Sequence, residues 1–197
     1  MKPLTLNGKR ISLVPFTDKH LNSDQYLFWL QDYEVIKYIN RKEYLLPISF
    51  EQVEEYVSKI GKSSRDHILA VVWNEGERFV GTFKFGALDW ENRTVNLGIL
   101  LGDRDFWGKG IATEAFELAV DYCFNGLGLR KIVAGCVAPN IGMKRVLEKL
   151  GFKQEACLRK QDFIEGKYVD HYKFGLFEEE YREGKVSEDL GNEPINL

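Results

Sequence analysis

The spacing of apolar positions along this chain changes several times, and each change marks an element. Residues 9–16 (KRISLVPF) alternate apolar and polar, the period of a half-buried strand. A helical stretch follows, with Leu21, Leu27, Phe28 and Leu30 as its apolar positions and Trp29 beside them. Ser49 and Gln52 are spaced as a capping box before a helix that stops near Gly61. The runs 69–73 (LAVVW) and 78–88 (RFVGTFKFGAL) read as strands joined through the turn NEGE, and 94–102 (TVNLGILLG) as the next strand. Ala112, Ala115, Phe116, Ala119 and Cys123 then recur at helical spacing, with Thr113, Glu117 and Asp121 opposite, as far as the turn NGLGL. Residues 131–137 (KIVAGCV) form a buried strand. A helix over 141–150 turns Met143, Val146, Leu147 and Leu150 inward and ends on Gly151 as a left-handed cap. Two last strands make a hairpin about Glu165–Gly166. This order predicts an α/β domain with a mixed sheet rather than a regular βαβ array. Residues 1–182 read as one domain, and 183–197 as a polar, flexible tail.

Composition narrows the class without naming a function. A chain of 197 residues hides roughly 70% of its extended surface on folding, enough for a core without disulfides or metals. No apolar run approaches the ~18 residues of a membrane helix, and the first residues hold no apolar signal core, so a cytoplasmic protein is expected. The net charge of −3 argues against a broad nucleic-acid-binding face. Cys123, Cys136 and Cys157 are odd in number and far apart, which fits buried thiols in a reducing compartment better than a disulfide frame or a zinc site. His20 and His67 have no metal partners at ligand spacing.

Chemistry concentrates in Trp107-Gly108-Lys109-Gly110-Ile111-Ala112, between a buried strand and a helix. Glycines there allow a tight turn and expose backbone N–H groups at the positive end of a helix, so an anion such as a pyrophosphate is the natural guest. A Walker loop does not fit: Gly102 to Gly108 is one residue too long, and Gly110 stands where a hydroxyl is needed. The dinucleotide fingerprint fails because Thr113 occupies its third glycine position.

The same six residues resemble the signature Q/R-x-x-G-x-G/A of the GNAT superfamily of N-acetyltransferases, with Trp107 departing at the Q/R position. Asn140 after a strand, the helix ending EKLGF (148–152) and the stretch WLQDYEVIKYI (29–39) are similar to that family too. The resemblance spans residues 8–182 and points to the branch with ribosomal-protein N-terminal acetyltransferases and amino-sugar acetyltransferases. It implies a mixed, centrally splayed β-sheet flanked by helices on both faces. It implies direct transfer of an acetyl group from acetyl-CoA to a primary amine, with no metal. Residues 107–112 would hold the cofactor's pyrophosphate. Backbone amides at a bulge among Ile99, Leu100 and Leu101 would hold the acetyl oxygen, with Leu100 and Leu101 as oxyanion donors. Asn140 would bond the pantetheine arm or cap the helix after it.

Three side chains that serve such relatives as acid or base are replaced here by Asn96, Met143 and Leu147. An α-amine has a pKa near ~7.7–8.0 against ~10.4 for lysine, so their absence suggests an acceptor amine of low pKa. On the acceptor side, Trp29, Tyr168 and Asp170 are the candidates. Asp170 would anchor or deprotonate the amine, or merely stabilise the hairpin, and Trp29 would cover the acceptor or pack in the core. By the strand period, Tyr168 and Asp170 share one face, and Val169 and His171 the other. His171 has a side chain suited to proton transfer, though a lone histidine in a strand is more often structural, and Asp162 lies on the same hairpin. Glu114 suits the dipole at the start of the loop helix. The acceptor expected first is an amino sugar, nucleotide-linked if Lys37, Arg41 and Lys42 form a basic patch, or another small amine. The alternatives are a protein N-terminus and a non-catalytic acetyl-CoA-binding module. A monomer or homodimer is expected.

Overall fold

The computed structural model describes residues 4–39 and 48–191, with side chains as far as Gly184. Eight strands form one sheet: β1 (Leu6–Asn7), β2 (Ile11–Pro15), β3 (His67–Trp73), β4 (Arg78–Asp89), β5 (Thr94–Leu101), β6 (Lys131–Val137), β7 (Lys153–Ile164) and β8 (Lys167–Phe177). Their spatial order is β1-β2-β3-β4-β5-β6-β8-β7. Six neighbouring pairs are antiparallel. The parallel pair, β5 with β6, holds only where Thr94, Val95 and Asn96 face Lys131, Ile132 and Val133. Beyond Asn96 and Val133 the two strands part, which gives the central splay.

The helices are α1 (Asp18–Leu21), α2 (Asp24–Gln31), α3 (Tyr33–Ile36), α4 (Phe50–Gly61), α5 (Ile111–Asp121), α6 (Ile141–Lys149) and α7 (Glu178–Gly191). Phe83, Leu97, Ile132 and Phe174 point from the sheet to α5 and α6, where Phe116 and Leu147 are fully buried. Phe83 and Phe116 meet edge to face at 5.0 Å. Burying one such side chain stabilises the fold by about 1.5–3 kcal/mol. The opposite face carries a smaller core of Tyr26, Trp29, Leu30, Val35, Ile36, Ile48 and Val53, against which Phe79 and Leu100 pack.

Differences from the sequence pattern are local. Helix α2 buries Tyr26, Trp29 and Leu30 and leaves Phe28 67% exposed, so the apolar stripe is rotated from Leu27 and Phe28. Trp29 sets that rotation: a Cβ on Gly102 would lie 2.1 Å from its indole, so the ring seats flat on bare backbone. The capping box at Ser49 is formed in both directions. Helix α7 carries the chain through Gly191, into the segment read as a tail. Residues 192–197 lie outside the described residues, as do Arg41 and Lys42 of the expected basic patch.

Candidate active site

The splay opens one edge of β5. Lys131 donates its amide to the Arg93 carbonyl, so odd-numbered residues entering β5 face β6. At the far end Gly102 donates to the Val80 carbonyl of β4, so even-numbered residues face β4. The register between is unbroken from Asn96 to Leu101. By the alternation of an antiparallel pair, the amides of Ile99 and Leu101 therefore face the opening, and the amide of Leu100 is turned to β4. Of the expected pair, the amide of Leu101 thus faces the opening and that of Leu100 faces β4. The bulge lies later than expected. Gly102 and Asp103 both donate to the Val80 carbonyl, at 3.0 and 3.1 Å, the two-to-one pattern of a bulge.

The loop that follows is braced from two sides. Asp103 caps the short turn Arg104–Phe106 and pairs with Arg78 of β4 at 2.6 Å. Trp107 turns its indole N–H back onto the Leu101 carbonyl at 2.7 Å, which places the signature's departing residue against the open edge of β5. Gly110 sits at φ +77 as the first cap of α5 and offers no side chain to its orphan amides. Arg10 of the edge before β2 donates to the carbonyls of Lys109 and Gly110. Its Nε and backbone amide donate to Glu114, each at 2.7 Å. The loop carbonyls are thus consumed from behind and the amides of 109–112 are left to the front, the arrangement an anion requires.

Burial pushes the Glu114 carboxyl up, but bonds from Arg10 and Ile11 outweigh it and hold the group below the usual carboxylate range. A lowered folded pKa contributes stability above the unfolded value, and this is lost as pH falls through the folded one. Glu114→Gln is therefore expected to cost about 1–3 kcal/mol of stability at pH 7, with the deficit shrinking below about pH 4.3. Its KM for acetyl-CoA should rise about tenfold, the equivalent of ~1.4 kcal/mol. Denaturant titrations across pH and initial rates check both.

Other candidates are placed differently. Asn140 is the cap of α6, its Oδ1 accepting from the Met143 amide at 3.1 Å. Trp29 is 5% exposed in the smaller core. Tyr168 is 68% exposed near the hairpin turn, packed edge to face on Phe163. Asp170 accepts from the Lys160 amide at 2.8 Å and from the Cys157 thiol at 3.5 Å, so it holds a distortion of β7. Cys123 and Cys136 are pushed by burial to about 12 and about 11, consistent with inert packing thiols. Among the described residues no group of three or more His, Cys, Asp or Glu could hold a metal, and no helix is long and apolar enough to cross a membrane.

His171 is the candidate on the face away from the larger core. It pairs with Val137 of β6 on the sheet face opposite α5 and α6, and its Nδ1 lies 2.7 Å from Asp162 Oδ2. The sequence carried the parity of this strand but not which parity meets β6. Arg10 was missed altogether, because its partner Glu114 lies 104 positions away.

The sequence profile of the family described as acetyltransferase (GNAT) domain matches residues 10–153. The chain belongs to the GNAT family of acetyltransferases. It is similar to the N-acetyltransferase p20 of Bacillus licheniformis, 30% identical over 154 residues that cover 78% of this chain and 85% of that one. In fold, this acetyltransferase is similar to the spermidine N-acetyltransferase of Vibrio cholerae in complex with CoA and spermine. The TM-score is 0.79 at 21% identity, over 89% of this chain and 99% of that one. It is similar also to RimJ of Mycobacterium smegmatis in complex with CoA-disulfide, with a TM-score of 0.78 at 20% identity over 91% of each chain. The GNAT chain uses acetyl-CoA as acetyl donor and transfers the acetyl group to an amine.

Proposed function

We propose that the acceptor is a small primary amine without a phosphate, a polyamine first and a free amino sugar second. The observation that carries this is an ion pair across the acceptor side. Lys37, at the end of α3, bonds Glu34 at 2.8 Å and reaches Glu165 in the β7–β8 turn at 3.7 Å. The pair straddles the face between the two halves of the sheet, which disfavours an extended polypeptide. It also neutralises the one described cation of the basic patch that a nucleotide would need.

Electrostatics favour the polyamine. Asp18, Glu51, Glu54 and Glu55 line a groove of about 510 Å³ between α1 and α4. Carboxylates so arrayed raise the local concentration of a polycation within a Debye length of ~8 Å. The amino sugar is supported by Asn96, Met143 and Leu147, which leave three usual acid and base positions without an ionisable group. In this reading the pyrophosphate of acetyl-CoA rests on the amides of residues 108–112, with Trp107 as a wall and Lys109 at the rim. Ile99 and Leu101 aim their amides at the thioester oxygen, where preorganised donors act most strongly. Asn140 offers its side-chain NH₂ to the pantetheine arm.

Thiol release from acetyl-CoA is to be measured with spermidine, glucosamine, a nucleotide-linked amino sugar and a peptide with a free N-terminus. Spermidine is expected to exceed the peptide in kcat/KM by about tenfold or more, ~1.4 kcal/mol of transition-state binding. A peptide or nucleotide-linked sugar as best acceptor overturns the proposal.

A further inference from the structure

We infer that His171, oriented by Asp162, is the base that takes a proton from the acceptor amine. The inference rests on the function proposed above, with the acceptor amine beside the thioester held at Ile99 and Leu101. Its starting point is an unsatisfied atom: His171 Nε2 is buried and has no hydrogen-bond partner. Buried polar groups are nearly always hydrogen-bonded, so an unpaired one calls for an explanation, and a catalytic role is one.

The other ring nitrogen fixes what Nε2 can do. Asp162 is 5% exposed, and its carboxylate accepts at Nδ1. A carboxylate only accepts, so the proton of the neutral ring sits on Nδ1 and Nε2 presents a lone pair. Nε2 lies over Gly135 of β6, where a Cβ would come within 2.9 Å of it. Gly135 is two residues past Val133, the last position at which β6 pairs with β5. The nitrogen therefore lies over the part of β6 that has already parted from β5, on the sheet face opposite α5 and α6.

This meeting is built by an irregular strand. Leu158 pairs with His171 and Asp162 with Val169, so three residues of β7 stand opposite Asp170 alone. Lys160 within that stretch has φ +52, and its amide is held by the Asp170 carboxylate. The extra residues shift Asp162 along the strand until it lies diagonal to His171. Asp170 is a positioning residue in this scheme. The charged groups on the same face are Lys173 of β8, whose stem lies over Gly135, and the pair Lys131 of β6 with Glu155 of β7. Lys37, Glu34 and Glu165 approach from α3 and the hairpin turn.

The step balances. Nε2 takes one proton from the ammonium form of the acceptor, and Asp162 stabilises the imidazolium. The neutral amine forms the C–N bond at the thioester carbon, and the C–S bond breaks. The second amine proton passes to the departing sulfur, giving CoA thiol, and the imidazolium returns its proton to solvent.

The test combines kinetics with nitrogen NMR of the full chain, which holds three histidines. With spermidine as probe, wild-type kcat/KM should fall with acid through the protonation of a single base. His171→Gln should lower kcat/KM at pH 7 by about 10²–10³-fold and abolish that acid limb, since general bases contribute about 10²–10⁴-fold. The KM for acetyl-CoA should stay within about twofold. Asp162→Asn is the second variant and should lower kcat/KM while changing the His171 tautomer. Wild-type ring signals should report the proton on Nδ1 at pH 7.5 and should shift on adding acetyl-CoA alone. A His171→Gln enzyme within threefold of wild type with its acid limb intact overturns the inference. So does an Nε2–H tautomer, or no shift with acetyl-CoA. If spermidine and the other amines give no turnover, the proposed acceptor fails, and the NMR arms still decide the role of His171.

Discussion

Gly110→Val is expected to raise the KM for acetyl-CoA by about 10²-fold while the protein still folds. The backbone at Gly110 has φ +77, where a residue with a Cβ pays about 1–2 kcal/mol. Valine adds a branched Cβ, and a Cβ there would already come within 3.3 Å of the Arg10 guanidinium. Arg10 must then release the Gly110 carbonyl, and the first amides of α5 rotate away from the pyrophosphate. One or two charge-assisted bonds at about 1.5–3 kcal/mol each are lost, and 3 kcal/mol is about 150-fold in binding. Calorimetric titration with acetyl-CoA gives the affinity and thermal melting gives the fold. Unchanged affinity in a folded variant would mean the pyrophosphate does not use this loop.

Trp29→Ala is expected to cost about 3–5 kcal/mol of stability, the range for emptying a large aromatic site in a core. The indole is buried against Phe79 at 5.0 Å between centroids and lies on Gly102, so no neighbour can collapse into its place without moving the exit of β5. For a domain of this size that loss lowers the melting temperature by about 10 °C or more. Trp29→Phe keeps most of the packing and should leave the acceptor KM within about threefold. A tenfold rise in that KM without loss of stability would instead put the indole in contact with the acceptor.

What the sequence disclosed was what neighbouring residues decide together. Gly108, Gly110 and the start of α5 are contiguous, so a glycine loop running into a helix was legible. Ser49 and Gln52 satisfy each other across one turn, so that helix start was legible too. What stayed hidden depends on register. Alternation along β8 separates Asp170 from His171, but only the pairing of Val137 with His171 decides which of them lies on the sheet face opposite α5 and α6. Asp162 reaches His171 because residues 159–161 are absorbed as extra length in β7, and nothing in their composition announces it. Arg10 and Glu114 read as a surface cation and a helix-dipole acid until the fold brings strand and helix together.

The short parallel contact between β5 and β6 has a mechanical consequence. Three residue pairs form the backbone seam between a five-stranded leaf and a three-stranded one. Past that seam, the edge groups of Ile99 and Leu101 look across the gap. A ligand lying there would serve as mortar as well as cargo, completing the wall against which it is held. The enzyme's stiffness would then be a property of the loaded molecule, and each release of CoA would loosen one leaf against the other.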